Sequence, residues 1–274
     1  GHLLFVAHDE EYGMELWTSD GTETGTVLLK DINPGPAWSM VGNWLVVGNT
    51  LYFSVDDAVH GQELWKSDGT ADGTVMVKDI YPGISSSNLY YFAEVNGTLF
   101  FSADDGVHGY ELWKSDGTEA GTVLVKDINP GDRDTWVGNL TDVNGTLFFA
   151  ASDTTHGSAL WKSDGTEAGT VMVKLMNPQY WSTSIVETKC VNGLLFFSAS
   201  DGVNSEELWR SDGTEAGTFV VKDINTTPVG NYTYTRDLTD VNGTLFFTAS
   251  DGVRGYQLWK SDGTEAGTVM LTNI

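Results

Sequence analysis

The sequence predicts an all-β fold: a six-bladed β-propeller of four-stranded antiparallel blades, with the first blade lacking its inner strand within this chain. Three observations carry the prediction. A core of E-L-W-x-S-D-G-T-x-x-G-T is written six times, with tryptophans at Trp17, Trp65, Trp113, Trp161, Trp209 and Trp259, spaced 48, 48, 48, 48 and 50 residues apart. Each repeat reads as short β-type runs separated by turn residues. No segment keeps a 3.6-residue apolar period, which excludes a helical solenoid.

The third repeat shows the elements in order. Residues 89–95 form a strand, named a, and Asn96-Gly97 supplies the two left-handed positions of a tight hairpin. Strand b follows at 98–103, a polar loop at 104–109, and strand c at 110–114. Ser115-Asp116-Gly117-Thr118 turns the chain, strand d covers 122–128, and Asn129-Pro130-Gly131 ends it. Repeats fall near 1–47, 48–95, 96–143, 144–191, 192–241 and 242–274 of a single domain spanning 1–274. The recurring apolar columns are packing columns, such as Leu3, Leu51, Leu99, Leu147, Leu195 and Leu245. Adjacent strand residues face opposite ways, so in pairs such as Phe148-Phe149 one ring meets the previous blade and the other the next.

Glu63-Leu64-Trp65-Lys66-Ser67-Asp68-Gly69-Thr70 and its counterparts from Glu111 and Glu207 resemble the ELWxxDGT-repeat family of bacterial extracellular β-propeller proteins. Ala159 and Gln257 depart from it in place of glutamate. The resemblance covers the whole chain and implies an extracellular or cell-surface module. It brings no catalytic residues with it.

Gly1 aligns with the Gly97 column, so there are six b, c and d strands and only five a strands. Three alternatives remain open. The native chain continues and supplies the strand, which fits a sequence without an initial Met. The ring closes with a three-stranded blade. Or the gap accepts a strand from another chain, predicting self-association.

Net charge is −24, from 38 acidic and 14 basic residues. That argues against nucleic acid and against anionic membranes. The absence of an eighteen-residue apolar run argues against membrane insertion. The charge serves solubility, or divalent cations and cationic partners. Cys190 is the only cysteine, so no disulfide framework exists, and a buried thiol is expected.

The a–b and c–d turns share one side of each blade and are monotonous. The b–c and d–a loops share the other and vary, which is where binding usually resides. The candidate ligand-binding aromatics lie in the d–a connections: Trp38, Trp136, Tyr180, Trp181, Tyr232 and Tyr234, with Tyr90 and Tyr91 opening an a strand. Such rings stack on sugars or grip proteins; alternatively they cap the core. His60, His108 and His156 share a b–c loop column. One per blade, they stand too far apart for a common metal, so loop bracing or separate ligand contacts are expected. Asp9, Asp57, Asp105, Asp153, Asp201 and Asp251 recur in the b–c loops, and Asp20, Asp68, Asp116, Asp164, Asp212 and Asp262 in the c–d turns. Local backbone bonding explains them. Ca²⁺ is the possible cofactor, with Asp56, Asp57, Asp104 and Asp105 as weak ligands lacking the spacing of a calcium loop. Glu94, Asp142 and Asp240 share a strand-a column and suggest an acidic channel or merely solvated walls. Six N-x-T sequons occur, at Asn96, Asn139, Asn144, Asn225, Asn231 and Asn242, and three of them are simply the Asn-Gly-Thr hairpin.

No nucleophile elbow, phosphate loop or Cys/His cluster is present, so the chain is expected not to be an enzyme. The expected function is a binding module holding a saccharide or protein on the d–a and b–c loops. The alternative is a structural subunit of a surface layer or filament, joined by strand donation or face contacts. A glycan-active enzyme with paired carboxylates is the third reading.

Overall fold

The computed structural model describes residues 2–131, 135–153, 157–177, 185–200, 206–225 and 234–272. The chain divides into two compact units, 1–134 and 135–274. The first unit has three antiparallel sheets: β1 (Leu3–Asp9), β2 (Gly13–Ser19) and β3 (Val27–Lys30); then β4 (Trp44–Val47), β5 (Thr50–Asp56), β6 (Gln62–Ser67) and β7 (Val75–Lys78); then β8 (Tyr90–Val95), β9 (Thr98–Asp104), β10 (Tyr110–Ser115) and β11 (Val123–Lys126). The second unit has β12 (Gly138–Val143), β13 (Thr146–Asp153), β14 (Gly157–Ser163) and β15 (Val171–Asn177); then β16 (Ile185–Val191), β17 (Leu194–Ala199), β18 (Glu207–Ser211) and β19 (Phe219–Lys222); then β20 (Arg236–Val241), β21 (Thr244–Ser250), β22 (Tyr256–Ser261) and β23 (Val269–Met270). Strands pair in chain order within every sheet, so these are the six blades of a β-propeller, the first of them three-stranded.

The local chemistry explains the strands. Asn96 and Gly97 have φ of 52° and 79°, the paired left-handed conformation of a two-residue hairpin, and the Asn-Gly turns at 144, 192 and 242 repeat it. The aromatic pairs divide as alternation requires. Phe148 packs with Leu195 and Phe197 of the following blade, and Phe196 turns the other way to pack with Leu245 and Phe247. In the first unit Tyr52, Leu64 and Val77 of one blade meet Leu99, Phe101 and Trp113 of the next.

Strand d is shorter than its sequence suggests. In the third blade it ends at Lys126, four residues long. The cause is Glu111, whose carboxylate accepts the N–H groups of Ile128 and Asn129 and so replaces the ladder. The fourth blade supplies the contrast: it has Ala159 there, and β15 runs seven residues, with Ala159 opposite Leu175 and Ser158 opposite Asn177.

Basic side chains join neighbouring blades within each unit. Lys78 Nζ donates to the Thr122 carbonyl at 2.9 Å and Lys66 Nζ to that of Gly117 at 2.8 Å. Lys162 and Arg210 make the matching bonds to Gly213 and Gly263. These cations serve the scaffold, on a chain where basic residues are scarce.

Candidate functional site

The c–d turn is closed on itself. In the second blade Asp68 Oδ1 accepts the Thr70 N–H at 2.9 Å and the Thr70 hydroxyl at 2.7 Å, while Thr70 Oγ1 accepts the Gly73 N–H at 3.0 Å. The same net recurs around Asp20, Asp116, Asp164, Asp212 and Asp262. These hydrogen bonds hold Asp68 below the ordinary carboxylate range, its threonine hydroxyl contributing most. The conspicuous Asp-Gly-Thr words are therefore turn construction.

The b–c loop is braced in a similar way. Asp57 Oδ1 accepts the N–H groups of Val59 and His60, and its Oδ2 lies 2.7 Å from His60 Nδ1. Asp105 and His108 repeat this at 2.8 Å, and Arg254 replaces histidine against Asp251. The bond to Asp57 raises the His60 pKa. Burial pushes Asp57 up, but the bonds from His60 and Val59 outweigh it and leave it low. Asp56 Oδ1 accepts the Ala58 N–H and Asp104 Oδ1 that of Gly106. The four aspartates proposed for Ca²⁺ thus spend carboxylate oxygens on their own loops. Among the described residues no group of three or more His, Cys, Asp or Glu side chains is placed to hold a metal ion.

The strand-a carboxylates are turn braces as well. Glu94, Asp142 and Asp240 accept the N–H groups of Gly97, Gly145 and Gly243. Cys190, expected to be buried, is only partly so and packs beside Val143 and Leu195.

The aromatics of the d–a side are different, because they lie outside the repeated motif. In the first unit Trp38 is 57% exposed and meets His8 edge-on at 6.0 Å. Tyr90 and Tyr91 are 45% and 39% exposed, and Tyr90 lies 6.1 Å from Tyr110. Tyr91 has φ of +55°, inside a register shift of β8. A bulky residue there is held against its own preference. In the second unit Trp136 is 51% exposed. Tyr234 lies under the Arg236 guanidinium at 4.9 Å, and Arg236 pairs with Glu206 at 3.0 Å. Burial raises the Glu206 pKa despite the bonds from Ser198 and Arg236, and the Glu187 charge adds to the rise. Tyr180, Trp181, Tyr232 and His156 lie outside the described residues.

Sequence reasoning missed the group that positions these rings, the motif glutamate. Glu15, Glu63, Glu111 and Glu207 are buried. Glu15 accepts the N–H groups of Ile32 and Asn33 and the hydroxyl of Ser39, so it pins the connection on both sides of Trp38. Glu63 does the same with Ile80, Tyr81 and Ser87, just before Tyr90. Burial drives the Glu63 pKa up to about 7, against the pull of those bonds and with help from the Asp79 charge. A signal existed: a glutamate next to Leu-Trp in a strand paired on both edges has no water to turn to.

No family model and no curated protein matches the chain. Solved structures do. A puromycin hydrolase matches with a TM-score of 0.56 and 14% identity, over 100% of this chain and 44% of that one. A puromycin-hydrolyzing peptidase of Mycobacterium tuberculosis matches with 0.56 and 10%, over 99% and 44%. Oligopeptidase B from Leishmania major matches with 0.57 and 12%, over 98% and 39%. The chain therefore spans less than half the length of each. These neighbours correct one expectation. Missing catalytic motifs pointed to a protein that is not an enzyme, yet these three neighbours, which match nearly all of this chain, are hydrolytic enzymes, so that exclusion does not stand. Its premise was weak physically, since a motif search over a propeller tests only the propeller and fold does not fix function. At such identities the likeness is one of architecture, and what it establishes is that this chain has the β-propeller fold.

Proposed function

We propose that the chain is a binding module of the cell surface or extracellular space, taking a saccharide on the d–a side of its blades. The observation that carries this reading is the Tyr90–Tyr91–Tyr110 group: exposed Tyr90 lies 6.3 Å from exposed Tyr91 and 6.1 Å from half-buried Tyr110, and Tyr91 has a left-handed backbone conformation. The same left-handed bulge falls on Asn139 and Asp237 in other blades, residue types that tolerate it, so what is unusual here is that a tyrosine holds the position. Tyrosine offers a flat apolar face and a hydroxyl, which suits the faces and edges of a sugar ring. The net charge of −24 favours neutral or cationic ligands over polyanions. The resemblance to the ELWxxDGT-repeat proteins supports the location. A glycan array probed with the protein and with Tyr90→Ala/Tyr91→Ala tests the reading. Hits lost in the double variant support it. A blank array, with the tyrosines instead protected by a protein partner, would replace the saccharide by that partner.

A further inference from the structure

Adjacent blades within a unit meet through two unlike faces. The leading face of one blade carries Tyr52, Leu64 and Val77, or Phe196, Leu208 and Val221. The trailing face of the next carries Leu99, Phe101 and Trp113, or Leu245, Phe247 and Trp259. In the second unit, the leading face of the sixth blade is open. Leu258 is 39% and Leu271 43% exposed, where Leu208 and Val221 are buried, and Phe246 is only partly buried where Phe196 is sealed. In the first unit, the trailing face of the first blade is open. Leu3 is 63% exposed where Leu99 is buried, and Phe5 and Trp17 are only partly buried where Phe101 and Trp113 are buried. A polar column marks the same two places. Lys66, Lys162 and Arg210 each donate to a carbonyl in the c–d turn of the next blade, that of Gly117, Gly213 or Gly263. Lys260 holds this donor column in the sixth blade, exposed and without an acceptor among the described residues. Gly21 holds the acceptor column in the first blade, and its carbonyl has no donor among the described residues.

We infer that the leading face of the sixth blade takes the trailing face of the first blade of a second copy of this chain. The repeat specifies the occupant. What seals Phe196 and Leu208 is a blade bearing Leu245, Phe247 and Trp259, and the first blade bears the same columns as Leu3, Phe5 and Trp17. A second copy also brings the Gly21 carbonyl to Lys260, so the contact continues the packing already present between successive blades. It joins two different faces, which makes it heterologous. Each copy in a pair keeps one free face, so the contact propagates into rings or filaments. Apolar burial drives it. Repulsion opposes it, because each copy carries a net charge of −24. Association therefore tightens as salt rises and screens that repulsion, the reverse of an interface built on ion pairs. The contact stands whether or not the tyrosines bind a saccharide.

Analytical ultracentrifugation of the whole chain, across concentration and salt, tests the inference. The mass should grow beyond one chain as concentration rises, and more so at high salt. Leu3→Asp and Leu258→Asp each spoil one face, so either variant alone should stay at the mass of one chain. Mixed, they should form a complex of two chains and no more, because one sound face of each kind remains between them. Should Leu258→Asp fail to fold, Lys260→Glu changes only an exposed side chain and should weaken association at least about fivefold. A mass of one chain at every concentration overturns the inference, whether the faces are then covered by another protein or by each other within one copy. A mixture of the two variants that stays at the mass of one chain overturns it as well, and so does a Leu3→Asp variant that assembles like the unmodified chain.

Discussion

Ala159 stands opposite Leu175 in the fourth blade, on a ladder that four of the other blades interrupt at this point with a glutamate, Glu15, Glu63, Glu111 or Glu207. Two ways of satisfying the same backbone groups thus coexist in one chain. Where Glu63 is present, Ile80 and Tyr81 donate to its carboxylate. Glu63→Ala should leave those two donors without partners and cost about 2–4 kcal/mol. Denaturant unfolding measures this. A loss under about 0.5 kcal/mol would mean that strand d had re-paired as in the fourth blade.

Gly73 is fixed by its neighbour and not by its φ. A Cβ at this position would lie 2.0 Å from Asp68 Oδ1. Gly73→Ala alone should therefore destabilise by about 1–3 kcal/mol, through the clash and the broken turn. In Asp68→Ala the obstacle is gone, and adding Gly73→Ala should cost less than it does alone. A double-mutant cycle with a coupling near zero sinks the explanation; about 1 kcal/mol or more is expected.

These positions show which information the sequence carries. A period of 48 residues with Asn-Gly hairpins fixes the blade count and the strand order, because turn chemistry and alternation are local. Asp68 and Asp57 are legible as braces for the same reason, since their partners lie two and three residues away. The partners of Glu63 were not legible, though its burial was: they lie 17 to 24 residues on, across a strand and a connection, and appear only when the blade is assembled. The roles of Lys66 and Lys78 were hidden likewise, 51 and 44 residues from their acceptors. The exposed aromatics were found as a class, but the left-handed turn at Tyr91 was not, because tyrosine hides a bulge that Asn139 and Asp237 mark at the same column of other blades.

The His60–Asp57 pair makes a pH prediction with a definite sign. The folded pKa of His60 is raised, so its contribution is complete below the unfolded value near 6.5 and fades as pH rises through the folded one. Asp57 is lowered, so its contribution is present above about 3.8 and fades only at lower pH. The pair therefore helps most in mildly acidic solution. The ring is over a third exposed, so the effect on stability is small. NMR reads it more directly: Asp57→Asn should move the His60 midpoint down toward its ordinary value. An unmoved midpoint would show that the observed contact does not hold the charge.

Tyr91 separates stability from function. Its φ of +55° disfavours any residue with a Cβ, and a register shift in β8 imposes that conformation. Glycine adopts it freely, so Tyr91→Gly should remove about 1 kcal/mol of backbone strain. The residue is 39% exposed, so the packing lost with the ring offsets part of that relief. Thermal unfolding should move by no more than a few degrees in either direction, since added chain entropy in the unfolded state offsets the relief. Ligand retention should respond quite differently. If the group including Tyr90 and Tyr110 is the binding platform, loss of one ring should weaken binding by roughly five- to tenfold, the scale of a single stacking contact of about 1–1.5 kcal/mol. Unchanged binding with unchanged stability would make the strain an accident of the bulge, and the site would then have to be sought at Trp38.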